Sequence, residues 1–499
     1  MGQKRLAGTW KAFIAIGLAT AATAAVLVWT GFYGAETPVA EASSRPGYQG
    51  EAEYNAFDRW DVDLSIHLPF VSSDPAWEWR TATTVQNTYT GTITITLRYF
   101  DTSGAEADIV TDTLPPLGSR VYTPTGVFSG SLVIAATQNI GAIATDSPLD
   151  SSREGDCLMS YRGVERADGG TSIDLLPIYR GHQSWNSRFA VQNTEDTTTP
   201  ITITFYDLTG TAVYSQADSL PPHSAHLYDA AEISGLGSDF YGHAQVETES
   251  SERVAGVVKA VNSQTGEAVA HNNHSLEPAF PQFAAQYIYL PLVMREHTSS
   301  IVVYNPGATE AISNTITLYD QDGITVTTYG PFSLAAHAVR SISLNDPGWS
   351  PAVPAGMRGS ARVYRGTHHY VGALVDTTWP STPGTYTGYS GVDWGNAPSY
   401  VPVVSNSADG GVTQISVQNM GNEAAEVAVT YYDGSGNQAG RETAAVEPYA
   451  AHYFDQASSD LPASFSGSAV VTSTHSIIVT GLISRGRLNL VYLPLVLRN

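Results

Sequence analysis

Between residue 43 and the C-terminus the apolar positions recur with a period of two, in bursts of five to nine residues. In Ile93-Thr94-Ile95-Thr96-Leu97-Arg98-Tyr99 the residues Ile93, Ile95, Leu97 and Tyr99 fall on one face, and Thr94, Thr96 and Arg98 on the other. Val427-Ala428-Val429-Thr430-Tyr431 has the same form. This is the pattern of half-buried strands. No segment after residue 42 keeps a 3.6-residue period, so helix is expected only as single turns, around 229–236 and 455–461. The exception is the start of the chain, where Lys4, Arg5 and Lys11 precede an uncharged apolar run over 12–35. Basic residues before such a run predict a signal peptide or a signal anchor, 1–42, with a small-x-small site at Ala40-Glu41-Ala42. The rest of the chain is therefore expected outside the cytoplasm, secreted or held at the cell surface, touching the membrane only through that segment.

Four marks recur in one order, about 110 residues apart. Each copy opens on a Leu-Pro or Val-Pro pair: Leu68-Pro69, Leu176-Pro177, Leu290-Pro291 and Val401-Pro402. A V-x-N follows, ending at Asn87, Asn193, Asn305 and Asn419. An aromatic residue then precedes D-x-x-G: Asp101 to Gly104, Asp207 to Gly210, Asp320 to Gly323 and Asp433 to Gly436. A glycine opening an apolar run closes each set, at Gly130, Gly242, Gly359 and Gly467. D-x-x-G suits a hairpin turn in which Asp accepts from the turn backbone and Gly supplies a positive φ. Proline in the opening strand removes a ladder donor, so an edge or a kink is expected there.

The spacing predicts an all-β chain of four tandem immunoglobulin-like β-sandwich domains after the N-terminal apolar helix. The boundaries expected are a linker at 43–63 and sandwiches at 64–150, 174–263, 286–378 and 398–499. The last includes a terminal Leu-Pro strand, Tyr492-Leu493-Pro494-Leu495-Val496-Leu497. The Gly-, Ser- and Pro-rich stretches 147–173, 264–285 and 379–397 are expected to be linkers. Together these describe a semi-rigid rod.

Charge excludes one class of partner. The net charge is −23, and only Lys259 remains among lysines after the leader, so nucleic acid, which is held by Lys and Arg, is not expected. The single cysteine, Cys157, allows no internal disulfide and is expected to be a buried small hydrophobe.

The residues that recur in all four copies are turn formers, prolines and core aliphatics, which points to fold and away from catalysis. No catalytic residues, metal site or cofactor are expected. His271-Asn272-Asn273-His274 lacks the Glu of a helical zinc motif and is expected in a surface loop. His368-His369 would point to opposite faces of a strand. Asp58, Asp61 and Asp63 lack calcium-loop spacing. Glu247, Glu249 and Glu252 alternate on a solvated face. Trp79 and Trp185, both eight residues before a repeat Asn, are expected to shield a core end. Trp77, Trp349, Trp379 and Trp394 are the candidate ligand-contact residues, because sugars stack on exposed rings.

The residues Val417-Gln418-Asn419-Met420-Gly421-Asn422, followed by Val427-Ala428-Val429-Thr430-Tyr431-Tyr432-Asp433, resemble the signature of CARDB-like and related bacterial extracellular immunoglobulin-like domains. The other three copies resemble it more loosely. The resemblance implies a sandwich used in adhesion or as a spacer, with no catalytic residues. The function expected is thus an exported structural or adhesive protein that meets a surface protein or polysaccharide; the alternative is a carbohydrate-binding protein using the loop tryptophans.

Overall fold

The computed structural model describes residues 50–58, 62–149, 158–166, 169–249, 251–275, 286–366, 371–378, 386–393, 395–406 and 411–485. The leader, the terminal Leu-Pro segment, Cys157, Asp61, His368, His369, Trp379 and Trp394 lie outside these residues. The described chain is all-β. Helical turns within it are single, as at Pro75–Trp77, Ala230–Glu232 and Gln456–Ser458, each opened by an Asp side chain (Asp74, Asp229, Asp455) that accepts from a backbone N–H two residues on.

The strands fall into groups that follow the chain. Residues 63–165 form one eight-stranded sheet and residues 172–275 a nine-stranded one. Residues 287–390 form sheets of five and four strands around a single core that joins Leu290, Ile301, Val303, Leu318 and Val375. Residues 399–485 form an eight-stranded sheet whose edge strand, Gly50–Asn55, comes from the far end of the chain. In the strand Ile93–Asp101, Ile93, Ile95, Leu97 and Tyr99 are buried and Thr94 and Arg98 exposed.

The described parts of the supposed linkers hold strands. Met159–Arg162 pairs with the end of Ser129–Pro148, Ala268–Asn272 with Val254–Asn262, and Tyr386–Ser390 with Gly372–Thr378. Gly50–Asn55 stands in the same relation to Ile477–Arg485, with Tyr54 opposite Gly481 and Ala52 opposite Ile483. These four inner strands lie against one another in a closed circuit. Asn55 Nδ2 donates to Ser390 O (2.8 Å), and the amide of Asn272 exchanges two hydrogen bonds with the backbone of Arg162 (2.9 and 2.6 Å). At four to six residues of mixed small, polar and aromatic side chains, these strands are too short to stand out in the sequence.

A second circuit runs through the outer turns. Ser131 Oγ donates to His223 O (2.7 Å), His243 Nε2 to His337 O (2.9 Å), Ser360 Oγ to Tyr449 O (2.6 Å) and Ser468 Oγ to Leu117 O (2.8 Å). Each acceptor residue has a left-handed φ, between 56° and 62°. The last of these bonds returns from the end of the described chain to its beginning. Residues Ser44–Asn499 accordingly form one compact unit. The expected rod, and the linker at 43–63, are replaced by a closed body in which every group touches two others.

The Leu-Pro strands are bulged rather than simply edges. Register shifts between Leu68 and Val71, Leu175 and Ile178, Leu290 and Val293, and Val401 and Val404, each beside its proline. In three groups an inner-strand tyrosine fills the gap: Tyr161, Tyr389 and Tyr54 hydroxyls donate to Phe70 O, Leu292 O and Val403 O (2.8, 2.8 and 3.0 Å).

Candidate functional site

The recurrent polar residues are spent on the backbone. Asn193, fully buried, donates to Thr197 O (2.6 Å), Leu220 O (3.0 Å) and Pro221 O (3.1 Å) and accepts from Glu195 N (2.9 Å). Asn87, Asn305 and Asn419 make the same set of bonds in their groups. Asp101, Asp207, Asp320 and Asp433 each accept from backbone N–H groups two and four residues on. These bonds hold the carboxyls of Asp101, Asp207 and Asp433 below the usual range, against the opposing effect of burial. Gly104, Gly210, Gly323 and Gly436 have φ between 77° and 87°. A Cβ at any of the four would also meet the next group: Pro221, Ala336 O, Pro448 O and Pro116 O respectively.

One recurrent set escaped the sequence analysis. Six residues before each Asn stands a buried hydroxyl, Thr81, Ser187, Ser299 or Thr413, accepting from the N–H of Ser72, Tyr179, Met294 or Ser405 (3.0, 2.9, 2.9 and 3.0 Å). Ser or Thr at one fixed offset in four copies was the available signal.

Chemistry that is not shared collects where the second and third groups meet. His243 takes the place that Ser holds in the other three junctions; its Nδ1 is 3.1 Å from Asp174, and both side chains are fully buried. The Tyr206 ring is stacked between His243 and His337, with centroids 5.2 and 4.2 Å away. Burial holds the His337 imidazole below its ordinary pKa. His271 is on the inner strand Ala268–Asn272, 2% exposed, with Nε2 3.0 Å from Asp376, so the surface loop expected for it is corrected. Its H-x-x-H partner His274 is directed elsewhere, edge-on to Tyr304. Beside this pair lie Tyr179, His182, Trp185, Tyr241 and Tyr386, with Trp185 4.8 Å from Tyr386 and Tyr179 4.6 Å from Tyr241. Burial pushes the phenols of Tyr179, Tyr241 and Tyr386 well up, so they act as neutral hydrogen-bonding groups. Trp185, Tyr241, Tyr386 and His182 keep partial exposure, and His182 Nδ1 is 2.7 Å from the exposed Asp239 carboxylate. Partly exposed ring faces beside an imidazole and a carboxylate can hold a sugar by stacking and hydrogen bonding.

The two candidate tryptophans among the described residues, Trp77 and Trp349, do not converge. Trp349 is 3% exposed, edge-on to Tyr329, with Nε1 donating to Ser343 O (2.9 Å), so it belongs to a core and offers no ligand face. A large ring in a short loop can be read as exposed or as a plug; here it plugs. Trp77 is partly buried, with Phe70 edge-on at 5.2 Å and the Arg188 guanidinium 5.5 Å from its ring. Arg188 also bonds Trp77 O (3.0 Å) and Asp229 (3.1 Å), tying the first group to the second. Trp379 and Trp394 lie outside the described residues.

Lys259 reaches from the second group into the first, 3% exposed, with Nζ 2.8 Å from both Asp146 Oδ2 and Phe70 O. Burial lowers its pKa, and the Asp146 carboxylate opposes that fall. Among the described residues no three His, Cys, Asp or Glu side chains are placed to hold a metal ion. No helix of the described residues is long and apolar enough to cross a membrane.

Solved structures offer only distant likeness. A glycoside hydrolase family 32 protein from Bifidobacterium adolescentis aligns at 9% identity over 85% of this chain and 100% of its own, with a TM-score of 0.15. The VP2 subviral particle of infectious bursal disease virus aligns at 10% identity over 86% and 82%, with a TM-score of 0.11. Dimeric latent PorU from Porphyromonas gingivalis aligns at 10% identity over 63% and 28%, with a TM-score of 0.10. None of these carries an argument about fold or activity. No curated protein matches the chain. The profile of DUF5719, a family of unknown function, matches residues 171–456, and the chain belongs to that family.

Proposed function

We propose that the protein is an exported, non-catalytic scaffold with a structural or adhesive role at the cell surface or in the medium, built as a ring of four immunoglobulin-like sandwich modules. One observation carries this reading: the polar residues that recur in all four groups are consumed by turn and junction hydrogen bonds, so the repetition serves a rigid body. Such a body presents its unshared loops and junctions to a partner. The basic-then-apolar leader supports export, and the CARDB-like pattern around Asn419 supports an adhesive role. Fractionation of producing cells, with N-terminal sequencing of the product, tests the compartment. Extracytoplasmic protein retained on isolated cell envelopes supports the reading; an intact chain confined to the cytoplasm defeats it.

The aromatic cluster at the second junction favours a second reading, binding of carbohydrate. Retention on an immobilised polysaccharide that falls at least tenfold in Trp185→Ala, and not in Trp77→Ala, would support it. A wild-type chain that passes through cellulose, chitin, glucan and peptidoglycan columns unretarded would end it.

A further inference from the structure

The junction between the fourth and first groups differs from the other three in one respect. Each other group takes its inner strand from the segment that follows it in the chain, whereas the fourth takes Gly50–Asn55, separated from Ile477–Arg485 by more than four hundred residues. The strand is held by a six-residue antiparallel ladder, by the Tyr54 hydroxyl on Val403 O (3.0 Å) and by Asn55 on Ser390 O (2.8 Å). Behind it, Phe57 and Tyr400 exchange two backbone bonds (3.0 and 2.6 Å) and Ala56 N donates to Val479 O (2.9 Å). Every one of these bonds joins the strand to the third or fourth group. The outer contacts of the same junction, Ser468 on Leu117 O and Gly436 on Pro116, are also non-covalent.

We propose that this junction is a head-to-tail interface between copies of the chain: the edge of Ile477–Arg485 accepts the strand Gly50–Asn55 of a second copy in place of its own. The donor and acceptor surfaces differ, so the contact is heterologous: it closes as a ring, of which reciprocal exchange between two copies is the smallest, or extends from copy to copy, as the rotation between copies dictates. The backbone ladder supplies affinity and the Tyr54 hydroxyl the register, as in strand addition generally. A tethered strand has an effective concentration in the millimolar range, so closure within one chain prevails in dilute solution. Exchange becomes competitive where chains are crowded to that level, as on a densely covered surface.

The test uses cysteines at facing positions, Ala52→Cys and Ile483→Cys, in full-length chains carrying Cys157→Ser. Antiparallel partners bring Cα atoms to the separation a disulfide needs. The double variant must form its disulfide within one chain; failure to do so overturns the pairing itself. A tagged Ala52→Cys chain and an untagged Ile483→Cys chain are then unfolded together, refolded and oxidised. A reducible heterodimer at about 1 mM chain, falling at least tenfold at about 10 μM, is expected from the millimolar tether. If the double variant closes and no heterodimer appears at either concentration, exchange between copies is overturned.

Discussion

Replacing Asn193 separates two accounts of the recurrent Asn. Its amide donates toward three carbonyls and its Oδ1 accepts from the Glu195 N–H and, at 3.1 Å, from the Thr199 hydroxyl, all at a fully buried position. In Asn193→Ala about three net hydrogen bonds are lost at ~1 kcal/mol each, and at least one buried carbonyl is left unpaired at about 1–3 kcal/mol, for a total of about 4–6 kcal/mol. Asn193→Asp keeps the shape but cannot donate when ionised, and it directs a carboxylate at three carbonyl oxygens. It is therefore expected to be the worse substitution above pH 6 and to recover toward the Ala value once acid protonates it. Urea unfolding of wild type and both variants at pH 7 and pH 4.5, compared as midpoint shifts at constant slope, gives the energies. A loss below about 1 kcal/mol for Ala, or Asp better than Ala at pH 7, would refute the assignment of this side chain as the lock of its turn.

Gly210→Ala should destabilise by more than about 3 kcal/mol in the same assay, since the new Cβ both strains a φ of 87° and collides with Ala336 O of the next group. Gly126→Ala, at a φ of 70° with nothing within 4 Å, should cost only the ~1 kcal/mol of backbone strain. Equal costs at the two sites would mean that the D-x-x-G turn does not bear on its neighbour. Burial, with the charges of His223 and Arg166, pushes the His67 imidazole down to about 3. Its folded pKa lies below the ordinary 6.5, so the stability this neutral ring carries is full above about pH 6.5 and is lost as pH falls toward 3, on the order of 5 kcal/mol in all. His67→Asn should move the acid-unfolding midpoint to lower pH; an unchanged midpoint would show that His67 does not drive acid unfolding.

The strand content, the alternation in Ile93–Asp101 and the single turns after Asp229 and Asp455 were legible because periodicity and capping chemistry act over a few residues. The turn roles of Asn193 and Asp207 could be read because each bonds its own neighbourhood. The course of the chain through space could not be. Gly-Glu-Ala-Glu-Tyr-Asn at 50–55 alternates over only two apolar residues, Ala52 and Tyr54, and its partner lies at the opposite end of the sequence, so too little in the segment marks it as a strand. His271 resembled a loop residue because Asp376, which faces it, arrives from another group. Trp349 looked free because the Tyr329 ring that covers it sits on a different strand. Long-range pairing, unlike local turn chemistry, leaves no short-range signature in one sequence.

Whether the chain closes on itself is tested most directly by solution X-ray scattering on the chain from Ser44 onward, at low concentration. A closed compact body of this length should have a radius of gyration of about 23 Å. Four sandwiches strung end to end on open linkers would give a clearly larger radius, and that result would contradict the ring.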